Sequence, residues 1–221
     1  MALKGLGAVI IWNDIAPEGR EQFYDWHINE HIPERIDVPG FLRGRRYIAA
    51  DAKTQPEFLT LYETENEAIL SSDAYLARLN NPTEWTRNAT SYFRNTSRCL
   101  TTIIAAKGAG MGRFMATLRI PHSDAGIGLC KRLKEQSASL AAEIVKGQVN
   151  GFAVGLSDVD ASNIKTAESQ GRSDILQPPI GAVLIEGASQ AVVEDAMSYV
   201  VGKLSPFSDV SRGLYQIEYS L

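Results

Sequence analysis

The feature that most constrains this chain is an order of elements that runs its course twice. Residues 7–12 form an unbroken apolar, β-branched run of the kind that lies in the middle of a sheet. Asn13 and Asp14 break it, and Pro17 suits the first turn of a helix. That helix is expected to continue to His31 and to stop at Ile32-Pro33. Alternation predicts strands over 41–49 and 58–63, joined through Thr54-Gln55-Pro56. Helical segments over 65–79 and 85–93 are parted by Asn80-Asn81-Pro82, and a fourth strand is expected over 98–105. Beyond the glycines of 108–112 the order returns, with a strand over 113–120, a helix over 127–146 and strands over 151–156 and 181–186. A helix over 190–203 and a strand over 214–219 complete it. Each half therefore reads as a split β-α-β-β-α-β unit, with both helices on one face of a four-stranded antiparallel sheet. The other face must be covered, and two such units in one chain can cover each other sheet to sheet. The class is α+β, with units at 1–107 and 111–221.

The halves differ in the chemistry they carry. Between Phe23 and Tyr47 lie two of the three histidines of the chain, Glu30 between them, and four arginines. At 100° per residue, Phe23, Tyr24, Trp26, His27, Glu30 and His31 share one side of the helix. The aromatic side is the one expected to pack inward, so both imidazoles and the carboxylate should look into the interior. Buried polar groups need partners, which leaves an internal polar network or the floor of a cavity. A pair of imidazoles in an apolar pocket can move protons on and off carbon or oxygen near neutral pH. His27, His31 and Glu30 are thus the candidate catalytic residues, with Glu30 orienting a ring or acting as the base. Arg43, Arg45 and Tyr47 fall on one side of the second strand, where they could hold a carboxylate or stabilise an enolate. If Arg45 only pairs with Glu30 or Asp37, it is structural instead. Trp12, Tyr62 and Trp85 are candidate walls for a flat or apolar ligand, and equally ordinary core aromatics. The corresponding helix of the second half offers only an apolar stripe, Leu129, Leu133, Leu140, Ile144 and Val145. Residues 157–179 make a polar excursion too long for a hairpin, read either as a lid or as a solvated surface segment.

Other chemistries find less in the sequence. The His27 to His31 spacing, H-x-x-E-H, matches an inverted zinc-protease signature, but Pro33 ends the helix too early and no peptide cleft or third ligand is evident. A different metal site drawing on Glu30 or Asp14 is a lesser reading, and His122 beside Pro121 reads as a surface residue. Gly108 to Gly112 lacks the strand-before, helix-after context of a phosphate loop, and no serine or cysteine stands in a nucleophile elbow. A net charge of −4 with no long basic run argues against nucleic acid. Cys99 and Cys130 sit in apolar surroundings and read as buried thiols of a reducing compartment, with a single bridge left open. No run is apolar enough to span a bilayer and no signal peptide is evident, so a soluble, cytoplasmic protein is expected.

Two stretches carry a resemblance. Tyr24-Asp25-Trp26-His27 through Glu30-His31-Ile32-Pro33-Glu34-Arg35, followed by Pro39-Gly40-Phe41-Leu42-Arg43-Gly44-Arg45-Arg46-Tyr47, resembles the EthD-like proteins of the dimeric α+β barrel superfamily. That superfamily also holds muconolactone-type isomerases, antibiotic-biosynthesis monooxygenases and haem-binding relatives. The resemblance implies ferredoxin-like halves whose sheets form a barrel, with a pocket between a sheet and its helices and one site per chain. It implies a small-molecule ligand and a cofactor-free isomerase, lyase or monooxygenase acting on a hydrophobic or aromatic acid or lactone. A non-catalytic ligand-binding or stress-related barrel is the alternative, with haem or metal binding as a lesser branch. A tandem chain either closes its own barrel or pairs with a second copy as a homodimer.

Overall fold

A computed structural model describes residues 3–172, 174–207 and 209–221, and its elements fall in two successive runs. The first runs β1 (Gly7–Ile15), α1 (Arg20–Trp26), α2 (Ile32–Ile36), β2 (Phe41–Ala49), β3 (Phe58–Thr64), α3 (Asp73–Asn80), α4 (Glu84–Ser91) and β4 (Phe93–Gly108). The second runs β5 (Phe114–Ile120), α5 (Asp124–Ile144), β6 (Val149–Asp158), α6 (Val159–Ser162), β7 (Gly181–Gly187), α7 (Gln190–Leu204) and β8 (Ser211–Ser220). Every named ladder is antiparallel, and the strands close into one barrel in the order β1-β3-β2-β8-β5-β7-β6-β4. Two seams join the units. β2 pairs with β8, Arg45 opposite Ser220, and β4 pairs with β6, Leu100 opposite Asp158. Closure removes the free sheet edges that an isolated unit would expose, and a single chain suffices for it.

Strand alternation divides the side chains into two compartments. Ile10, Trp12, Tyr47, Leu61, Leu184 and Tyr215 point into the barrel and pack across the two units. The opposite faces meet the helices: Val9, Ile11 and Tyr62 in the first unit, and Leu118, Val154 and Val183 in the second. On α5 the predicted stripe is buried, Leu129 and Leu133 fully and Leu140 nearly so, each contributing about 1.5–3 kcal/mol. Inside the barrel four charged groups form one cluster. Arg43 Nε donates to Glu63 at 2.8 Å, and Arg45 bridges Glu63 at 2.8 Å and Glu186 of the other unit. Two guanidinium groups against two carboxylates balance the charge, as burial demands.

Three elements depart from the sequence expectation. The first helix does not stop at Ile32-Pro33. A π turn, His27–His31, follows α1, with Ile32 N–H reaching back to His27 O, and α2 continues to Ile36. The widened turn relieves the clash that a proline ring makes with the carbonyl four residues earlier. β4 begins at Phe93 instead of near Arg98, because Arg94 and Phe93 still pair with Asp14 and Ile15 past a bulge in β1. The 65–79 helix is a 3-10 turn, Glu67–Ser71, and then α3, parted at Ser72, whose hydroxyl accepts from Tyr75 N–H.

The excursion after β6 lies on the first unit. Ser162 Oγ accepts from Leu100 N–H at 2.9 Å, Glu168 N–H donates to Leu79 O at 3.0 Å, and Leu176 N–H donates to Thr96 O at 2.8 Å. Thr166 and Glu168 are buried, so the middle of this segment is packed rather than solvated. Cys99 lies inside the barrel and Cys130 on α5 outside it, both as free thiols.

Candidate functional site

His27 and His31 lie between the first-unit helices and the outer face of the sheet, 2% and 3% exposed. The π turn sets their rings 5.5 Å apart and 21° from parallel. Phe23 stacks on His27 at 4.9 Å, and Trp26 lies 4.2 Å from His31. A glycine makes this approach of helix to sheet possible: a Cβ on Gly44 would stand 2.9 Å from Ile32 Cγ2 and 3.1 Å from Tyr62 Cε1. Single π turns of this kind are frequent at functional sites.

Both rings are held neutral. Burial, then the neighbouring His31, Arg46 and Arg35, push His27 well below its ordinary value of 6.5. Burial, then Arg35 and Arg172, do the same to His31. Arg46 Nη1 lies 3.5 Å from His27 Nδ1. A guanidinium can only donate, so Nδ1 is the acceptor there and the ring proton sits on Nε2. Arg46 is itself fixed by Glu218 at 3.0 Å and lies 4.4 Å over the Tyr24 ring. His31 Nδ1 is buried with no hydrogen-bond partner, and so are Tyr62 Oη and Arg35 Nη1. The Tyr62 ring stands edge-on to His31 at 6.1 Å, and burial pushes its hydroxyl far above the ordinary phenol range.

A polar cluster continues from His31 beneath the excursion. Glu168 accepts from Arg35 and, at 2.9 Å, from Arg172. Burial opposes its charge, but Arg35 and Arg172 hold its carboxyl below the usual range. Arg98 donates to Tyr75 Oη at 3.1 Å. Arg35, Arg46, Glu168 and Arg172 were not singled out from the sequence. Alternation carried a signal for Arg46, because it falls on the side of β2 opposite Arg43, Arg45 and Tyr47. Glu168 and Arg172 gave none, since their neighbours come from the other half of the chain.

The remaining candidates are placed as follows. Glu30 turns to α4, accepting from Thr83 Oγ1 at 2.5 Å and Thr86 Oγ1 at 2.9 Å. Trp26 Nε1 donates to the same Thr86 hydroxyl at 3.1 Å. Tyr62 stands with the histidines, whereas Trp85 packs half-buried on the aromatic cluster of Phe23, Trp26 and Phe93. Arg43, Arg45, Tyr47 and Trp12 point into the barrel, so the sheet stands between them and the two imidazoles. Among the described residues no three potential ligands converge on a metal position. Asp14 caps Glu57 N–H at 2.6 Å and meets Asn95 at 2.8 Å, remote in role from the histidines. Neither imidazole is among the lining residues of the described cavities. Nδ1 of His27 faces Arg46, and the His31 ring lies between Trp26 and Tyr62.

No family model matches this chain, and no curated protein sequence matches it. Solved structures do. An anthrone oxidase-like protein superposes with a TM-score of 0.63 at 10% identity, covering 99% of this chain and 93% of its own. A Fusobacterium nucleatum protein provisionally named a monooxygenase gives 0.58 at 9% identity, covering 99% and 95%. A mutant chlorite dismutase from Candidatus Nitrospira defluvii gives 0.53 at 9% identity, covering 97% and 91%. At such identities the likeness shows the fold. No helix among the described residues is long and apolar enough to cross a membrane.

Proposed function

We propose that this chain, a dimeric α+β barrel by fold, is a small-molecule enzyme that works by acid–base chemistry at His31 on a hydrophobic or aromatic acid or lactone. One observation carries the reading: in neighbouring side chains, His31 Nδ1, Tyr62 Oη and Arg35 Nη1 are each buried without a hydrogen-bond partner. Each such group costs about 1–3 kcal/mol, and proteins keep such losses mainly where function needs them.

The chemistry follows from the protonation states. A neutral His31 can take a proton from a carbon next to a carbonyl. The C–H bond breaks, the electron pair moves to the carbonyl oxygen, and the enolate accepts hydrogen bonds from Arg35 and Tyr62. Return of the proton to another carbon gives an isomer, and loss of a substituent gives an elimination. Burial and nearby guanidinium groups make His31 a weak base, so the substrate must be an unusually acidic carbon acid, one whose anion an arene or conjugated carbonyl spreads. Phe23, Trp26, Tyr62 and Phe93 supply matching apolar walls. His27 positions the stack through Phe23 and Arg46.

A second reading has its own support. The described cavities include neither imidazole among their lining residues, which favours a non-catalytic ligand-binding barrel. Deuterium incorporation from D2O into a panel of enolisable aromatic ketones and lactones, followed by NMR, separates the two. The wild-type chain should exchange at least one member, and His31→Gln should lower that rate about 100-fold with the melting temperature within a few degrees. An unchanged rate in His31→Gln, or no exchange with any member, would leave the non-catalytic reading.

A further inference from the structure

A cavity of about 200 Å³ opens beside β4 where the excursion folds over it. Its lining includes the cations Arg98, Lys165 and Arg172 and, among the described residues, no carboxylate. Two of its lining residues hold polar atoms, Thr96 Oγ1 and Arg172 Nε, that are buried and unpartnered. Thr96 is 1% exposed and the Arg172 side chain 6%. Ile164, Ile175 and Leu176 give the wall an aliphatic part beside the polar Ser162, Asn163 and Ser169, and all three are among the exposed large apolar residues of the chain.

We infer that this cavity is a binding site for a small organic carboxylate with an apolar body. The head group is chosen by charge and by donors. Arg172 Nη2 is pinned on Glu168 at 2.9 Å, and its guanidinium carbon lies 5.2 Å over the Phe93 ring. The side chain is therefore fixed before any ligand arrives, and its charge beside the cavity costs the complex little further entropy. Arg98 has no carboxylate partner among the described residues and donates only to a phenol. Glu168 neutralises one charge of Arg35, Arg98 and Arg172 taken together, which leaves the surroundings of the cavity positive. The body is chosen by the aliphatic wall, whose covering removes apolar surface from water. A neutral ligand would leave the cations unanswered, and an inorganic anion would leave the wall exposed.

This site shares Arg98 and Arg172 with the polar cluster that continues from His31, but it does not depend on turnover at the imidazole. The test is fluorescence titration of the full chain with 2-naphthoate, and with 2-naphthamide as its neutral counterpart. Naphthoate should bind at least about tenfold tighter than the amide, the worth of one charge-assisted hydrogen bond. Arg98→Met and Ile164→Asp should each weaken naphthoate by about tenfold or more. Ile164 is exposed, so that variant keeps its fold and decides the matter if Arg98→Met does not. Failure of naphthoate to bind, equal binding of acid and amide, or indifference to Ile164→Asp would overturn the inference. Deuterium exchange at His31 can fail without touching any of these readings.

Discussion

Lowering the pH should unfold this protein through its two buried histidines. Both have folded-state values pushed well below 6.5 by burial first and by neighbouring positive charge after it. In the unfolded chain each titrates near 6.5. Below that pH the unfolded state binds more protons than the folded one, so stability falls as pH falls. While the folded rings stay neutral, moving from pH 7.5 to 5.5 costs about 1.4 kcal/mol for each ring, or about 3 kcal/mol for the pair. The window matters. Glu168, held below its ordinary 4.5, contributes stability above that value and loses it only at lower pH, so it adds little at pH 5.5. The measurement is the urea midpoint and slope at pH 7.5 and 5.5, for the wild-type chain and for a His27→Phe, His31→Phe double variant. The variant should lose the pH dependence whatever its absolute stability. Equal stability of the wild-type chain at both pH values, or the same loss in the double variant, would refute the assignment of neutral, buried rings.

Two further outcomes follow from the charge networks. Glu168→Gln strips the counter-charge from Arg35 and Arg172 and should cost about 3–5 kcal/mol, lowering the melting temperature by about 10 °C for a chain of this size; a shift under a degree or two would mean the excursion contributes nothing to closing the first unit. Arg45→Met leaves Glu63 and Glu186 buried without their shared partner and should destabilise by a similar amount, with part recovered when Glu186→Gln is added; calorimetry of the single and double variants checks this.

Much of the architecture was legible because it rests on local rules. The apolar β-branched run at 7–12, the alternation of 41–49 and the apolar stripe of α5 each fixed an element by periodicity. Their order, repeated, fixed the α+β class. Periodicity also placed His27 and His31 on a buried face, and the π turn kept them there although it changed their spacing in angle. What periodicity could not supply was the partner of each buried charge. Arg43 and Arg45 share a face with Tyr47, and only barrel closure decides that this face looks inward, toward Glu63 and Glu186, instead of toward the helices.

The amino-acid sequence by itself determined which segments are strands or helices and which of their faces avoid water, because those depend on contacts within a few residues. Only the tertiary structure decided that the excursion of the second unit seals the histidine layer of the first, with Glu168 between Arg35 and Arg172. An ion pair across 133 residues leaves no periodic trace: charges attract through space, and the chain records only how far apart they are along itself.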